Sequence, residues 1–263
     1  ALTFTTQTGG TNGADITFDN GSTAISLAAF TTEGNLTLQT DAAIALTGHT
    51  VNGDLAVTSA GAISQSAALT VSGTSSFTST GSNNNITLST DSNALTGAVS
   101  ASTVGSSGDV TIDNGTTALN LGTVTANGDL SIRGGNGITD SGVITVSGTS
   151  LFHSDVTAKV ITLDSVNAMT GAVSITHTGS ADVEIDNGTT ALNLGTVSVG
   201  QNFSATSGGV ISDSGVITVA GTGTFVTDVN DIDIVLDSNN AITGALTFTT
   251  QTGGTNGADI TFD

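Results

Sequence analysis

The chain has 263 residues and a formal net charge of −20, since 22 acidic residues stand against two basic ones. This acidity argues against nucleic acid as a partner, because phosphate binding needs Lys and Arg. The absence of cysteine argues against a disulfide framework and a thiolate metal site. No apolar run approaches the roughly 18 residues of a membrane span, so we expect no membrane span in this segment.

The sequence repeats at two lengths. Its opening, ALTFTTQTGGTNGADITFD, returns unchanged at 245–263, which gives a period of 244 residues. Within that period IDNGTTALNLGTV occurs at 112–124 and again at 185–197, an offset of 73 residues. A fixed period of this kind indicates stacked repeats rather than a single globular core.

The phrases NALTG, NAMTG and NAITG close three successive units at Gly97, Gly171 and Gly244. We therefore predict one continuous solenoid with no separate globular domain. Its parts are unit 1 at 1–97 with an extra coil at about 31–51, unit 2 at 98–171, unit 3 at 172–244, and the start of the next period at 245–263.

Short stretches that alternate apolar and polar residues predict strands, as in GVITVAG (215–221) and DIDIVLD (231–237). Clusters of Gly, Asn, Asp and Ser between them predict turns. No helical periodicity occurs. Three strands per segment and ten segments per period predict an all-β fold, a β-solenoid of about ten coils of roughly 24 residues each.

The inward face of each coil is expected to hold the aliphatic and aromatic side chains. Phe77, Phe152 and Phe225 occupy matching places in the three units, and we predict that they fill the core. Val216 is also predicted to point inward. The total absence of proline fits strands whose N–H groups all take part in a ladder.

Long phrases of the chain resemble the repeats of filamentous-haemagglutinin-like adhesins, which are giant bacterial cell-surface proteins rich in β-strand repeats. The clearest are ANGDLSIRGGNGITDSGVITVSGTSLF (126–152), TVSVGQNFSATSGGVISDSGVITVAGTGTF (196–225) and DIDIVLDSNNAITGALTF (231–248). The resemblance implies a right-handed solenoid displayed outside the cell, whereas the residue pattern alone leaves the handedness open. It implies no particular ligand.

Two recurring motifs are candidate sites. The Asp-Asn-Gly triplets at Asp19, Asp113 and Asp186 supply carboxylates that calcium could use, but they fall in different coils and favour turns. Three asparagines precede the unit boundaries, namely Asn93, Asn167 and Asn240. We expect them to satisfy backbone groups inside the solenoid or in its turns.

Other polar groups predict no site. Asp231 and Asp233 are expected on one strand face beside Asp228 and Asp237, and two carboxylates on one face are too few for a calcium cage. GGTNGADITF (9–18) and GGNGITD (134–140) depart from the calcium-binding nonapeptide. The histidines share no spacing and are expected at the surface or in turns: His49, His153 and His177.

The chain carries two cations, Arg133 and Lys159, in different coils. A polysaccharide-cleaving enzyme needs acids and bases clustered in a cleft, so we predict no enzyme, no catalytic residue, no metal site and no cofactor, apart from loosely bound calcium. The expected function is a structural extracellular fibre or adhesin stalk of a bacterial surface or biofilm matrix. The expected partners are further copies along or beside the fibre, and host, surface or polysaccharide contacts. A binding module for glycans or ice on one solenoid face is the alternative.

Overall fold

The computed structural model describes residues 13–155, 158–177, 179–251 and 257–263. Every regular element in these residues is a β-strand, which confirms the predicted all-β solenoid. None of the described residues belongs to a helix long and apolar enough to cross a membrane.

The strands are short and follow one another closely along the chain. In chain order they are β1 (Ile16–Asp19), β2 (Thr31–Thr32), β3 (Leu36–Thr40), β4 (Ile44–Thr47), β5 (Thr50–Val51), β6 (Leu55–Ser59), β7 (Ile63–Ala67), β8 (Thr70–Val71), β9 (Ser75–Ser82), β10 (Ile86–Leu88), β11 (Ala94–Leu95), β12 (Ala98–Val104), β13 (Val110–Asp113), β14 (Leu119–Ala126), β15 (Leu130–Arg133), β16 (Ile138–Asp140), β17 (Ile144–Val146), β18 (Ser150–His153), β19 (Ile161–Leu163), β20 (Ala168–Met169), β21 (Ala172–His177), β22 (Val183–Asp186), β23 (Leu192–Val199), β24 (Phe203–Ser207), β25 (Ile211–Asp213), β26 (Ile217–Val219), β27 (Gly223–Asn230), β28 (Ile234–Leu236), β29 (Ala241–Ile242), β30 (Leu246–Gln251) and β31 (Ile260–Phe262).

Three parallel sheets run along the solenoid axis. The first sheet follows the order β1-β3-β6-β9-β12-β14-β16-β19-β22-β24-β27-β30, with β17 and β20 beside it. The second follows β4-β7-β10-β13-β15-β18-β21-β23-β25-β28-β31, with β26 and β29 beside it. The third is a four-stranded sheet, β2-β5-β8-β11, that covers only the first turns.

The core lies between the sheets and is filled by the inward half of each alternating strand. Phe77, Phe152 and Phe225 are fully buried, as predicted. The prediction for Val216 is wrong, because this side chain is 44% exposed. It precedes β26, so it lies at a corner of the coil, where the two-residue alternation of the strand does not yet apply.

Successive units are rotated by half a turn about the solenoid axis relative to one another. In the copy of IDNGTTALNLGTV at 112–124, Ile112 lies in the second sheet and Leu121 in the first. In the identical copy at 185–197 the two sheets are exchanged, so Ile185 lies in the first and Leu194 in the second. Equivalent residues of successive units therefore lie on opposite sides of the solenoid.

The extra half turn also corrects the predicted coil number. The structure has about 12 turns rather than ten. The segment 172–200 holds β21, β22 and β23, and these lie in the second, first and second sheets. It therefore spans one and a half turns. A regular turn is shorter than the roughly 24 residues predicted. Ile16, for example, pairs with Leu36, which lies one turn further along the chain.

Candidate functional surfaces

The three Asp-Asn-Gly triplets form turns, as predicted. In each, the Asp Oδ1 atom accepts a hydrogen bond from the N–H of the Gly two residues later, at 2.9 Å for Asp19 and at 2.8 Å for both Asp113 and Asp186. The glycines have φ values of 49°, 56° and 55°, in the left-handed region where a Cβ is disfavoured. These carboxylates serve the turn.

The asparagine of two triplets has a second role that the motif does not reveal. Asn114 is fully buried, its Oδ1 accepts from the Leu95 N–H at 2.8 Å, and its Nδ2 donates to the Leu95 carbonyl at 3.0 Å. Asn187 makes the same two bonds with Met169, at 2.8 and 3.0 Å. Leu95 lies in β11, the last strand of the third sheet. The amide of Asn114 therefore replaces the backbone of a next strand that is missing there.

The boundary asparagines satisfy backbone groups inside the solenoid, as predicted. Their Oδ1 atoms each accept one N–H at 2.8 Å from a neighbouring turn: Leu69 to Asn93, Ile144 to Asn167, and Ile217 to Asn240. Since an unpaired buried N–H is costly, these side chains hold the corner at which each unit closes.

Each boundary asparagine also bonds a polar partner that the prediction missed. The Nδ2 atoms donate to Gln65 at 2.9 Å from Asn93, to Asp140 at 2.8 Å from Asn167, and to Asp213 at 2.6 Å from Asn240. Burial raises the pKa of Asp140. The signal was available in the sequence, because ITDSG and ISDSG place an Asp at the same point of two units.

Rows of Asp and Asn stand just before the strands of the two large sheets and bond from turn to turn. We call these rows Asx ladders. In each, a side-chain Oδ1 accepts the N–H of the next member at 2.7–3.2 Å. The ladders are Asp15–Asn35–Asp54–Thr74, Asn85–Asp109–Asp129–Thr149 and Asp182–Asn202–Thr222.

Each Asx ladder ends at a threonine whose Oγ1 donates back to the preceding member, at 3.0 Å for Thr74, 3.0 Å for Thr149 and 2.8 Å for Thr222. The ladders lie beside the first, second and first sheets in turn. Sequence reasoning missed them, although an Asp or Asn recurs about 20 residues apart before successive strands. They stabilise the stack from outside, because each hydrogen bond joins two turns.

The predicted strand face shared by Asp231 and Asp233 is wrong. Asp231 lies at a corner with a φ of 58°, and Asp233 precedes β28, which begins at Ile234. Both carboxylates accept N–H groups from the next turn, from Gly257 at 3.1 Å and from Asp259 at 2.9 Å. Within the described ranges no group of three or more His, Cys, Asp or Glu side chains is placed to hold a metal ion.

Two of the three histidines are buried, which contradicts the prediction of surface or turn positions. His49 is 1% exposed and His177 is fully buried. The ring of His49 packs on that of Phe30 with a centroid distance of 4.5 Å, and burial lowers the pKa of His49. His49 lies at the corner of a coil, where no strand alternation applies, whereas His177 continues the inward alternation of Val173 and Ile175 in β21, a local signal that the prediction missed.

Arg133 is not isolated, because it joins three successive turns of the second sheet. It donates to Asp113 at 2.8 Å and to Asp155 at 2.6 Å. His153, in register with Arg133 in the next turn, also pairs with Asp155. Burial opposes ionisation of Asp155, yet the bonds from His153 and Arg133 hold its pKa below the ordinary value. The other two units have no such group, since their matching residues include Thr206 and Thr58.

Charge alternates between the two large sheets along the axis. Outward acidic groups lie on or beside the first sheet, then the second, then the first again, and finally the second. In that order they include Asp15, Asp19 and Asp54; Asp109, Asp113, Asp129 and Asp155; Asp164, Asp182, Glu184, Asp186 and Asp228; and Asp233, Asp237, Asp259 and Asp263. The alternation follows from the half turn between successive units.

Comparison with known proteins agrees with this repeat structure. A family model described as repeats of unknown function (DUF5649) matches residues 33–102, 107–176 and 180–249. Neither the curated proteins nor the solved structures contain a match to the chain. The three matched segments cover most of the chain in tandem. The chain therefore belongs to this family of repeats of unknown function.

Proposed function

We propose that the chain is a stretch of a long, stiff, acidic β-solenoid filament whose role is mechanical. We assign it to a bacterial adhesin stalk or to a fibre of a biofilm matrix or sheath outside the cell, without catalysis. The resemblance to giant surface adhesins supports this location. Arg133 engages the carboxylates of Asp113 and Asp155 in ion pairs, so these two groups join turns of the stack rather than stand free as an acid and a base.

One observation carries the proposal. The strand sequence Ile-Thr-Phe occurs twice, and its two copies form ladders through opposite edges. Its first copy, β1, pairs with the turn that follows it, with Ile16 opposite Leu36. Its second copy, β31, pairs with the turn that precedes it, with Ile260 opposite Ile234. Taken together, the two pairings describe one strand inside a continuous stack. A further period therefore fits onto this one without a break in the ladder.

The test compares the present chain with a tandem chain in which residues 1–244 precede residues 1–263. About 12 turns of about 4.8 Å should lengthen the rod by roughly 55 Å per added period. Small-angle scattering and electron microscopy measure that length at unchanged rod thickness. A tandem chain that forms two separate or folded-back bodies would refute the proposed filament.

We further propose that divalent cations bridge filaments loosely through the acidic stretches. The support is the net charge of −20 with two basic residues in the sequence, since such a surface attracts counter-ions and repels its copies. Calcium should then promote bundling that excess EDTA reverses. Bundling that is the same in calcium and in EDTA would show that divalent cations do not bridge the filaments.

A further inference from the structure

A large outward area of the first sheet carries no charge. Over the five turns formed by β6, β9, β12, β14 and the pair β16 and β17, all outward strand residues are small or medium-sized and neutral. We call this area the uncharged patch. Its residues are Ala56, Thr58, Ser76, Thr78, Thr80, Gly81, Ser82, Ala98, Ser100, Ser102, Val104, Asn120, Thr123, Thr125, Thr139 and Thr145.

The uncharged patch presents its hydroxyls in straight columns. Thr58, Thr78, Ser102, Thr125 and Thr145 lie opposite one another on successive turns. Neighbouring turns are about 4.8 Å apart. The side chains are short, so a second surface with the same spacing can approach closely and interdigitate, as small side chains do between in-register parallel sheets.

An equivalent area lies on the opposite side of the solenoid because of the half turn. On β21, β23, the pair β25 and β26, and the pair β28 and β29 of the second sheet, the outward strand residues apart from Asp213 are again neutral. The carboxylate of Asp213 is engaged by Asn240 at 2.6 Å. The neutral residues are Ala172, Ser174, Thr176, Asn193, Thr196, Ser198, Ser212, Thr218, Val235 and Ala241. We call this area the opposite patch.

Charge decides what can cover these areas. At the height of the uncharged patch the second sheet carries acidic groups, and at the height of the opposite patch the first sheet does. A second copy that approached those acidic stretches would bring carboxylates against carboxylates, which is unfavourable without bridging cations. Acidic groups border the two patches at one end each, with Asp54 beside β6 and with Asp233 and Asp237 beside β28. The strand faces of the patches are therefore where copies meet with the least repulsion.

We propose that the uncharged patch and the opposite patch are lateral contact surfaces for a second copy of this chain. The proposal rests on the filament role and adds its partner and its geometry. Since the patches lie on opposite sides and one unit apart along the axis, each copy can contact two others, and association can extend into layers.

The size of the contact sets its strength. Five turns of about 4.8 Å and strands of about six residues give roughly 480 Å² on each copy. Stable complexes bury about 800 Å² per partner, so one patch holds a copy weakly. Further periods add patches on the same rod and raise the overall affinity through multivalency.

A second copy fits the uncharged patch better than a sugar polymer does. Sites for small molecules are concave and lined by aromatic side chains, whereas this patch is a sheet face with no aromatic among its outward residues. Phe77, which belongs to one of its strands, is fully buried.

The test is sedimentation of the present chain and of the tandem chain in EDTA, which removes cation bridging. We expect the tandem chain to self-associate at a concentration at least about tenfold lower than the single chain. A double variant, S102E with S198E, places one carboxylate on each patch and should abolish this association. The matched control, T111E with T206E, adds the same charge on outward positions of the acidic stretches and should leave it unchanged.

Circular dichroism and amide exchange confirm that both variants keep their turns, so that loss of association is not loss of fold. Association that survives S102E with S198E, or that is lost equally in the control, would overturn the proposal. So would monomeric rods at every concentration, and patch-dependent retention on a neutral polysaccharide would then assign the patch to a sugar. Each of these results leaves the filament role intact if the tandem rod still lengthens, and a rod that does not lengthen would refute that role separately.

Discussion

The side-chain amide of Asn114 forms two hydrogen bonds with the backbone of Leu95, accepting its N–H at 2.8 Å and donating to its carbonyl at 3.0 Å. Leu95 is in the last strand of the third sheet, and the chain passes from there to a unit that is turned by half a turn. The third sheet ends at this strand because the next unit is rotated by half a turn. The side chain of Asn114 bonds the backbone groups of Leu95 that are left at the edge of the sheet. Asn187 and Met169 repeat the arrangement.

The variant N114A should open this edge locally. Removal of the amide leaves the buried Leu95 N–H and carbonyl without partners, at a cost of about 1–3 kcal/mol for each group. We expect faster hydrogen exchange at the Leu95 amide and little change elsewhere. The matched control is N20A, because the side chain of Asn20 bonds only the carbonyls of Thr23 and Ala24 in its own turn. Unchanged exchange at Leu95 in N114A would show that the amide does not close the edge.

Phe225 and Val216 provide a paired test of the inward assignment. Phe225 is fully buried and stacks on Phe248 at a centroid distance of 5.7 Å, whereas Val216 is 44% exposed. F225D should destabilise the surrounding turns by more than about 3 kcal/mol, since it removes a buried ring and buries a carboxylate. V216D should change stability by less than about 0.5 kcal/mol. Chemical denaturation followed by circular dichroism measures both, and equal effects would contradict the burial assigned here.

Acid should loosen the turns around His49. Burial lowers the pKa of His49 in the folded state, while the unfolded chain takes up its proton near the ordinary value of about 6.5. The unfolded state therefore binds more protons below that pH, and stability falls as the pH drops from about 6.5 through the folded pKa.

The Thr70 amide, which donates to the His49 carbonyl at 3.0 Å, reports this local change by hydrogen exchange. H49L should flatten the pH dependence between about pH 7 and 5, since it removes the titrating group. H153Q is the control, because His153 is partly exposed and paired with Asp155. The same slope in the parent chain and in H49L would rule out His49 as the cause.

Arg133 should stabilise the turns that it joins and have little effect on the stability of the whole solenoid. It is 43% exposed, so its pairs with Asp113 and Asp155 are screened by water and should be worth up to about 1 kcal/mol. R133Q should speed exchange at the Ser154 amide, which bonds the Thr176 carbonyl at 3.1 Å in the next turn. K159Q removes the same charge nearby and should not. A global loss of β-structure in R133Q would contradict this, because it would mean that the ion pairs stabilise more than the turns around Arg133.

Much of the fold follows from local patterns in the sequence. Alternation and turn residues predict an all-β solenoid and the burial of Phe77, Phe152 and Phe225, because strand periodicity and inward aromatic residues are properties of single coils. The turns at the Asp-Asn-Gly triplets are likewise local, since one carboxylate bonds an N–H two residues away.

The phase of the units is not local, which is why the sequence did not yield it. Whether 73 residues make three turns or three and a half depends on how β21 and β22 divide between two sheets, and both divisions give the same alternation. The bonds within the Asx ladders, the role of Asn114 and the burial of His49 depend on what lies in the next turn, about 20 residues away. By contrast, the inward place of His177 and the shared position of Asp140 and Asp213 follow from local patterns that the prediction overlooked.

The most direct measurement of the half turn is a pair of distances between spin labels, which the absence of cysteine makes straightforward. Labels at T125C and S198C mark positions one unit apart, and labels at T58C and T125C mark positions three turns apart on the first sheet. The half turn predicts that the second pair lies about 14 Å apart along one face, and that the first pair lies more than about 20 Å apart, across the solenoid. A first pair as close as the second would place successive units on the same side and contradict the account.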